Sequence, residues 1–251
     1  MNDQGRFRDA ALAAGFPDDE VDRFLGRLRL SIRLTAGADG VPAGHAGGTP
    51  RLPVDEGLPF VLSVDCAAVP RIEGLPAAGS LLFYLDHEKD LLAAAEGDQS
   101  YARVVYVPSG VEIDDPVSSL RATIVADLAD DHQDDEDEDE GDELLALAGE
   151  FWPSGGGFPT AYIGGHVDDQ VLTSIAEQTL AGREKAGEIT VPISGWYSAV
   201  AREKQRLAGE WLTLAAFPTD DEFYSGSFVI RYDDLAAGRF DKALSVTTFS
   251  E

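Results

Sequence analysis

The 251-residue sequence predicts an α+β fold: β-rich, with two related antiparallel strand–loop–strand units, an N-terminal helical pair, and helices inserted in the second half. Three observations lead there. Apolar residues recur at helical spacing near the N-terminus. From about residue 30, short runs of branched and aromatic residues are broken by Gly and Pro. Two of those runs match each other.

The helical pair comes first. RFRDAALAAG (6–15) is a short helix ended by Gly15. FPDDEVDRFLGRLRL (16–30) restarts with Pro17 in the first turn and acids at the positive end of the helix dipole. Val21, Phe24, Leu25 and Leu28 then form one apolar face, which caps the core. Strands follow at LSIRL (30–34), PFVLSVD (59–65), GSLLFYLD (79–86), ARVVYVP (102–108) and ATIVADL (122–128), separated by turn formers such as GLPAAG (74–79).

Between Asp127 and Glu143 stand twelve acids and no Lys or Arg. Like charges at that density repel one another and bury nothing, so 127–143 is expected to be a disordered acidic insert. A calcium loop does not fit. Starting from Asp135 puts Glu140 where an EF-hand needs Gly, and starting from Glu136 puts Leu147 where it needs the bidentate Glu. Beyond the insert, SGGGFP (154–159) lacks the Lys-Ser/Thr of a phosphate loop. AYIGG (161–165) reads as a strand, DDQVLTSIAEQTLAGREKAG (168–187) as a helix, and EITVPIS (188–194) as a strand or an extended link. YSAVAREKQRLAG (197–209) is a second helix, WLTLAAFP (211–218) and GSFVIRYD (226–233) are strands, and FDKALSVTTFS (240–250) closes the chain.

GSLLFYLD and GSFVIRYD share Gly-Ser, an apolar body and a final Asp, and each follows another strand. A unit met twice suggests duplication. The expected organisation is therefore 1–29 helices, 30–126 first β-unit, 127–143 insert and 144–251 second β-unit with helices, all in one compact body.

Composition excludes several functions. The net charge is −27, and removing the twelve acids of the insert still leaves −15. Such a surface repels nucleic acid and anionic lipid and favours a cationic partner. One cysteine, Cys66, allows no internal disulfide and no Cys-rich zinc site. No run approaches ~18 apolar residues, and the N-terminus carries no signal-peptide core, so a soluble, cytoplasmic protein is expected.

Candidate chemistry is sparse. His166 sits with Asp168, Asp169 and Gln170, a possible metal fragment, but an Asp there equally caps the following helix. Asp86, His87 and Glu88 fall at a strand end, where turn chemistry places polar residues. Cys66 has no neighbouring cation to stabilise a thiolate. Gly47-Gly48-Thr49-Pro50 reads as a β-turn. No catalytic motif appears, and no cofactor or metal is expected.

Six segments in order resemble the YwqG-like family, a bacterial domain family of uncharacterised function. They are AGGTPRLP (46–53), LPFVLSVDCAAVP (58–70), LPAAGSLLFYLD (75–86), RVVYVP (103–108), IGGHVDDQ (163–170) and EWLTLAAFPTDDEFYSGSFVIRYDDLAAGRF (210–240). The resemblance covers about residues 30–251 without the acidic insert. Two departures stand out: Leu58-Pro59 replaces the family's usual Trp-Pro, and Ser63-Val64-Asp65 replaces its Gln-Ile-Asp/Asn pattern. The resemblance implies a β-rich, duplicated α+β fold and no chemistry. It also implies a link to secreted-toxin systems, beside which some members sit.

The expectation is a non-catalytic binding or interaction module, of immunity or partner-neutralising type, with a basic protein partner and neither nucleic acid nor membrane. Its candidate binding residues are Asp86, His87, His166, Asp169 and Gln170. The competing expectation is an enzyme with a carboxylate/His pocket between the two repeats. Oligomeric state is not legible in the sequence.

Overall fold

The computed structural model describes residues 3–37, 40–52, 57–71, 74–94, 97–128, 138–153, 159–218 and 224–249. In chain order the elements begin with α1 (Asp3–Ala14), α2 (Asp18–Arg27), β1 (Leu28–Thr35), β2 (Val41–Ala46), β3 (Thr49–Pro50), β4 (Phe60–Asp65) and β5 (Ser80–Leu85). Next come α3 (His87–Ala94), β6 (Ala102–Val107), β7 (Ile113–Asp114), β8 (Ser118–Leu128), α4 (Glu138–Phe151) and β9 (Ala161–Gly164). The chain finishes with α5 (Asp169–Lys185), α6 (Trp196–Ala208), β10 (Trp211–Pro218), β11 (Tyr224–Arg231), α7 (Tyr232–Ala236) and β12 (Leu244–Phe249).

The α+β class is as expected. Ten strands form one antiparallel sheet in the order β12-β11-β10-β9-β1-β8-β2-β4-β5-β6, and β3 pairs with β7 apart from it. The sheet curls until its edge strands β6 and β12 approach each other. Inside the curl, residues from both halves meet: Phe83 of β5 lies 5.4 Å from Phe228 of β11, ring centre to ring centre, with Phe217 of β10 beside it. Leu34, Leu62, Leu81, Ile163 and Leu214 fill the remaining interior.

The middle of the sheet is the β1–β8 ladder, paired from Leu28↔Leu128 to Thr35↔Arg121. Alternation puts Leu28, Leu30, Ile32 and Leu34 on one face. The Ile32–Leu34 end faces the central core. The Leu28–Leu30 end, with Ile124, Ala126 and Leu128, packs beneath α1, α2 and α4, where Phe7, Phe24 and Trp152 form an aromatic cluster. On the opposite, outer face of β10–β12, α5 and α6 bury Val171, Ile175 and Leu207 against Trp211, Val229 and Val246.

Several boundaries differ from the sequence reading. Asp127 and Leu128 complete β8, and α4 begins at Glu138, so both ends of the expected 127–143 insert belong to regular elements. Its centre, 129–137, lies outside the described residues. Leu144, Ala148 and Trp152 recur at helical spacing and are buried, which anchors α4, and the helix backbone continues back to Glu138. β1 lies between β8 and β9, so the first expected unit borders the second through its own first strand.

The two Gly-Ser strands, β5 and β11, each stand second from an edge. Each hairpin, β4–β5 and β10–β11, carries one bulge. The glycines differ in conformation, however. Gly79 precedes β5 with φ +87°, whereas Gly226 lies within β11.

A polar brace closes the curl. Asp90 of α3 is buried, and its carboxylate accepts the hydroxyls of Ser245 and, at 2.8 Å, Thr247 on β12. Gln99 accepts the Ser245 backbone N–H at 2.7 Å. The edge strand of one half is thereby tied to the α3–β6 region of the other. Burial raises the Asp90 carboxyl above its ordinary range, against the pull of the two hydroxyls. With the folded value raised, the ionised group disfavours the fold at neutral pH, and that cost disappears as pH falls through the folded value toward the unfolded one. The melting temperature of Asp90→Asn, measured against the native protein, should therefore be relatively highest near neutrality and lose ground on acidification. A difference independent of pH would show that the charge of Asp90 does not act on stability.

Candidate functional site

A cavity of about 560 Å³ opens on the outer face of the sheet, floored by β1, β8, β9, β10 and β11 and walled by α5 and α6. Its volume falls within the range of small-molecule pockets, about 300–1,000 Å³. The strand registers explain why space remains there. One row across the strands reads Thr123, Arg33, Tyr162, Ala216, Ser227; the next places Ser31 between Val125 and Gly164. Ser31, Gly164, Ala216 and Ser227 are too small to reach the helices above, so the floor is recessed around the long side chains of Arg33 and Tyr162.

That floor is polar. Arg33 is 5% exposed, Ser31 4% and Ser227 8%, and all three line the cavity. Among the described residues, the hydroxyl of Thr123, paired with Arg33 on the same row, is buried without a hydrogen-bond partner. Thr213, also on the floor, donates its hydroxyl to the His166 carbonyl at 2.7 Å.

The cavity's carboxylates are already engaged. β9 ends in Gly164 and Gly165, both in the left-handed region at φ +79° and +82°, a turn that side chains with a Cβ rarely adopt. The turn brings the His166 N–H to Asp127 Oδ2 at 2.6 Å. Asp168 caps α5, accepting the N–H groups of Gln170 at 2.8 Å and Val171 at 3.3 Å. Asp169 holds Lys204 of α6 with both oxygens, at 2.7 and 3.0 Å. His166 Nε2–H donates to the Arg27 carbonyl at 2.8 Å, and burial pushes the imidazole below its ordinary value, so it stands neutral with Nδ1 as an acceptor.

Of the residues singled out in the sequence, His166 and Asp169 line this cavity. Gln170 is exposed at the start of α5 and contributes its backbone to the cap. Asp86 and His87 lie elsewhere, at the junction of β5 and α3. Asp86 accepts Lys89 Nζ at 2.6 Å, which holds its carboxyl below the ordinary range. The four residues of the enzyme reading thus do not line one cavity. Cys66 is buried, and desolvation, with Asp65 adding to it, pushes its thiol up to about 11.

Sequence reading missed Arg33, Ser31, Tyr162 and Ser227. The available signal was the polar half of the strand alternation: Ser31 and Arg33 interleave with Leu30, Ile32 and Leu34. Alternation alone assigns such residues to solvent, and only the helices packed over the sheet convert that face into a buried floor.

Among the described residues, no group of three or more His, Cys, Asp or Glu side chains is placed to hold a metal ion. No described helix is long and apolar enough to cross a membrane. A family model described as a domain of unknown function (DUF1963) matches residues 44–247, a range that begins after Ser31 and Arg33. No curated protein is matched by the sequence.

Two outcomes follow from this geometry. A Cβ at Gly165 would meet Asp127 Oδ2 at 2.2 Å. Gly165→Ala should therefore lose about 1–3 kcal/mol, read as a lower urea midpoint at unchanged slope; an unmoved midpoint would mean that the turn is not constrained. Alkylation of Cys66 in the folded protein should stay slow at neutral pH and accelerate only as pH approaches the raised thiol value. Rapid labelling at pH 7 would refute the protonated, buried assignment.

Proposed function

The chain belongs to the DUF1963 family, and we propose that it serves as a non-catalytic binding module whose receptor site is the cavity beneath α5 and α6. One observation carries this reading: Asp127, Asp168 and Asp169, the three aspartates of the cavity, are each held by a partner from the protein itself. A general acid or base must exchange a proton with substrate, and carboxylates committed to a backbone amide, a helix cap and an ion pair are positioned for architecture instead. The ring of His166 is tethered through Nε2 to the Arg27 carbonyl rather than to a carboxylate. The recess, floored by Ser31, Arg33 and Ser227, is of a size that suits recognition.

The finer family assignment is YwqG-like, supported by the six ordered segments of the sequence. We read the two halves as duplicated units, supported by the matching places of β5 and β11 in the sheet. The enzyme alternative places its pocket between the halves, but that space is occupied by Phe83, Phe217, Phe228 and their neighbours. In the partner-neutralising version of the module, a basic protein is drawn to a surface carrying −27. Cytoplasmic location accords with that version.

The test is retention. Protein is incubated with a small-molecule extract of cells, separated by ultrafiltration, and the retained molecules are identified by mass spectrometry. A molecule recovered with unchanged mass, and lost in Ala208→Trp, where an indole fills the cavity wall, is the expected result. Turnover of the retained molecule, or retention indifferent to Ala208→Trp, would sink the reading.

A further inference from the structure

The helical hairpin α5–α6 differs in charge and in surface from the rest of the chain. From Asp169 to Ala208 five acids are matched by five bases, so the whole −27 lies outside it. Its turn also presents the two most exposed large apolar side chains among the described residues, Ile193 at 94% and Tyr197 at 85%. They stand four residues apart along a continuous helical path, which sets them on one side.

That exposure is built in. Glu184 accepts the Val191 N–H at 3.0 Å, and the Gly195 N–H donates to the Pro192 carbonyl at 2.8 Å. On either side, Ile189 and Trp196 pack against the core beneath the hairpin. A backbone pinned on both flanks therefore holds Ile193 and Tyr197 outward. Exposed apolar residues standing singly, as Leu92 and Val117 do, are ordinary, whereas adjoining ones mark an interaction surface. Charge selects what covers this one. A basic protein is drawn to the acidic surface outside the hairpin, and nucleic acid or anionic lipid is repelled by it. At the tip, Arg183, Lys185 and Arg202 stand with Glu184 and Glu188. A surface bearing both signs can oppose unlike charges when a two-fold axis sets it against itself. Charges beyond about 8 Å are largely screened at physiological ionic strength, so the −27 carried elsewhere does not forbid this approach.

We propose that the tip of the α5–α6 hairpin is a self-association surface, on which Ile193 and Tyr197 of one copy cover those of a second in a two-fold dimer. Tyrosine suits such a contact, giving a large rigid area at little entropic cost, and Ile193 supplies the apolar centre. The cavity lies toward the other end of the hairpin, where Asp168 and Asp169 face Lys204 and Ala208. Along α6, Tyr197 precedes Lys204 by roughly 10 Å. Self-association through the tip is thus separate from whatever the cavity holds.

The experiment is sedimentation velocity of the full-length protein over a range of concentrations, at low and at moderate salt. A monomer–dimer equilibrium is expected, tighter at moderate salt because screening relieves the repulsion between two acidic chains. Ile193→Glu and Tyr197→Glu should each weaken it roughly tenfold or more at an unchanged melting temperature, since both side chains are exposed. Leu92→Glu, exposed on α3, should leave it unchanged. A bismaleimide should link copies through Ser198→Cys, exposed beside Tyr197, and not through Ser109→Cys, exposed in the other half. A monomer at every concentration would overturn the proposal, as would a dimer that survives both Glu variants or one linked as readily through Ser109→Cys. A chain that stays monomeric yet needs Ile193 to hold a different protein would overturn it too.

Discussion

The structure depends on a wide antiparallel sheet burying its inner face against itself. Ten strands present more apolar inner surface than α1, α2 and α4 cover, and the solution is curvature: the two halves bend until Phe83 and Phe228 touch. Strand twist makes such curling natural, and the bulges in the β4–β5 and β10–β11 hairpins sharpen it. Among the described residues, the interior is filled from both sides by Phe83, Phe217, Phe228 and their neighbours. Recesses are left to the outer face, where small residues lie under α5 and α6 or under the loop at 108–112.

The acidity of the chain has a structural counterpart. Asp86, Asp127, Asp168 and Asp169 sit at the ends of strands or the starts of helices, where amide N–H groups and lysines need acceptors. Asp90 differs from these four, as a buried carboxylate bound by two hydroxyls across the closure of the sheet. Placing acids at these junctions spreads negative charge over the surface while keeping individual carboxylates locally satisfied.

How far the sequence revealed this varies by element. The helices α2 and α5 and the strands β4, β5, β10 and β11 follow from periodicity, because Val21, Phe24 and Leu28, or Leu62 and Val64, mark a buried face directly. β2 was not legible: VPAGHA contains Pro and Gly, poor strand formers, and is held by ladders to β8 and β4. α3 was not legible: Asp86, His87 and Glu88 read as turn chemistry at a strand end, and it is Asp90, gripping β12 more than 150 residues later in the chain, that fixes the helix. The site was half legible. His166 and Asp169 were found through their charge, whereas Arg33 and the serines owe their burial to helices that the strand pattern does not encode.

The position of β1 carries a consequence for how the chain comes to be folded. The strand leaves the ribosome well before its partners, residues 121–128 and 161–164. The aromatic cluster of α1 and α2 likewise waits for Trp152. Loop closure over such separations is slow, so the central strand of the sheet is among the last to be paired. During synthesis LSIRL is an exposed apolar segment with two open edges, the kind of stretch that holding chaperones shield. β1 is made before its partners and secured only by them, which ties the lifetime of the open strand to the arrival of β8 and β9.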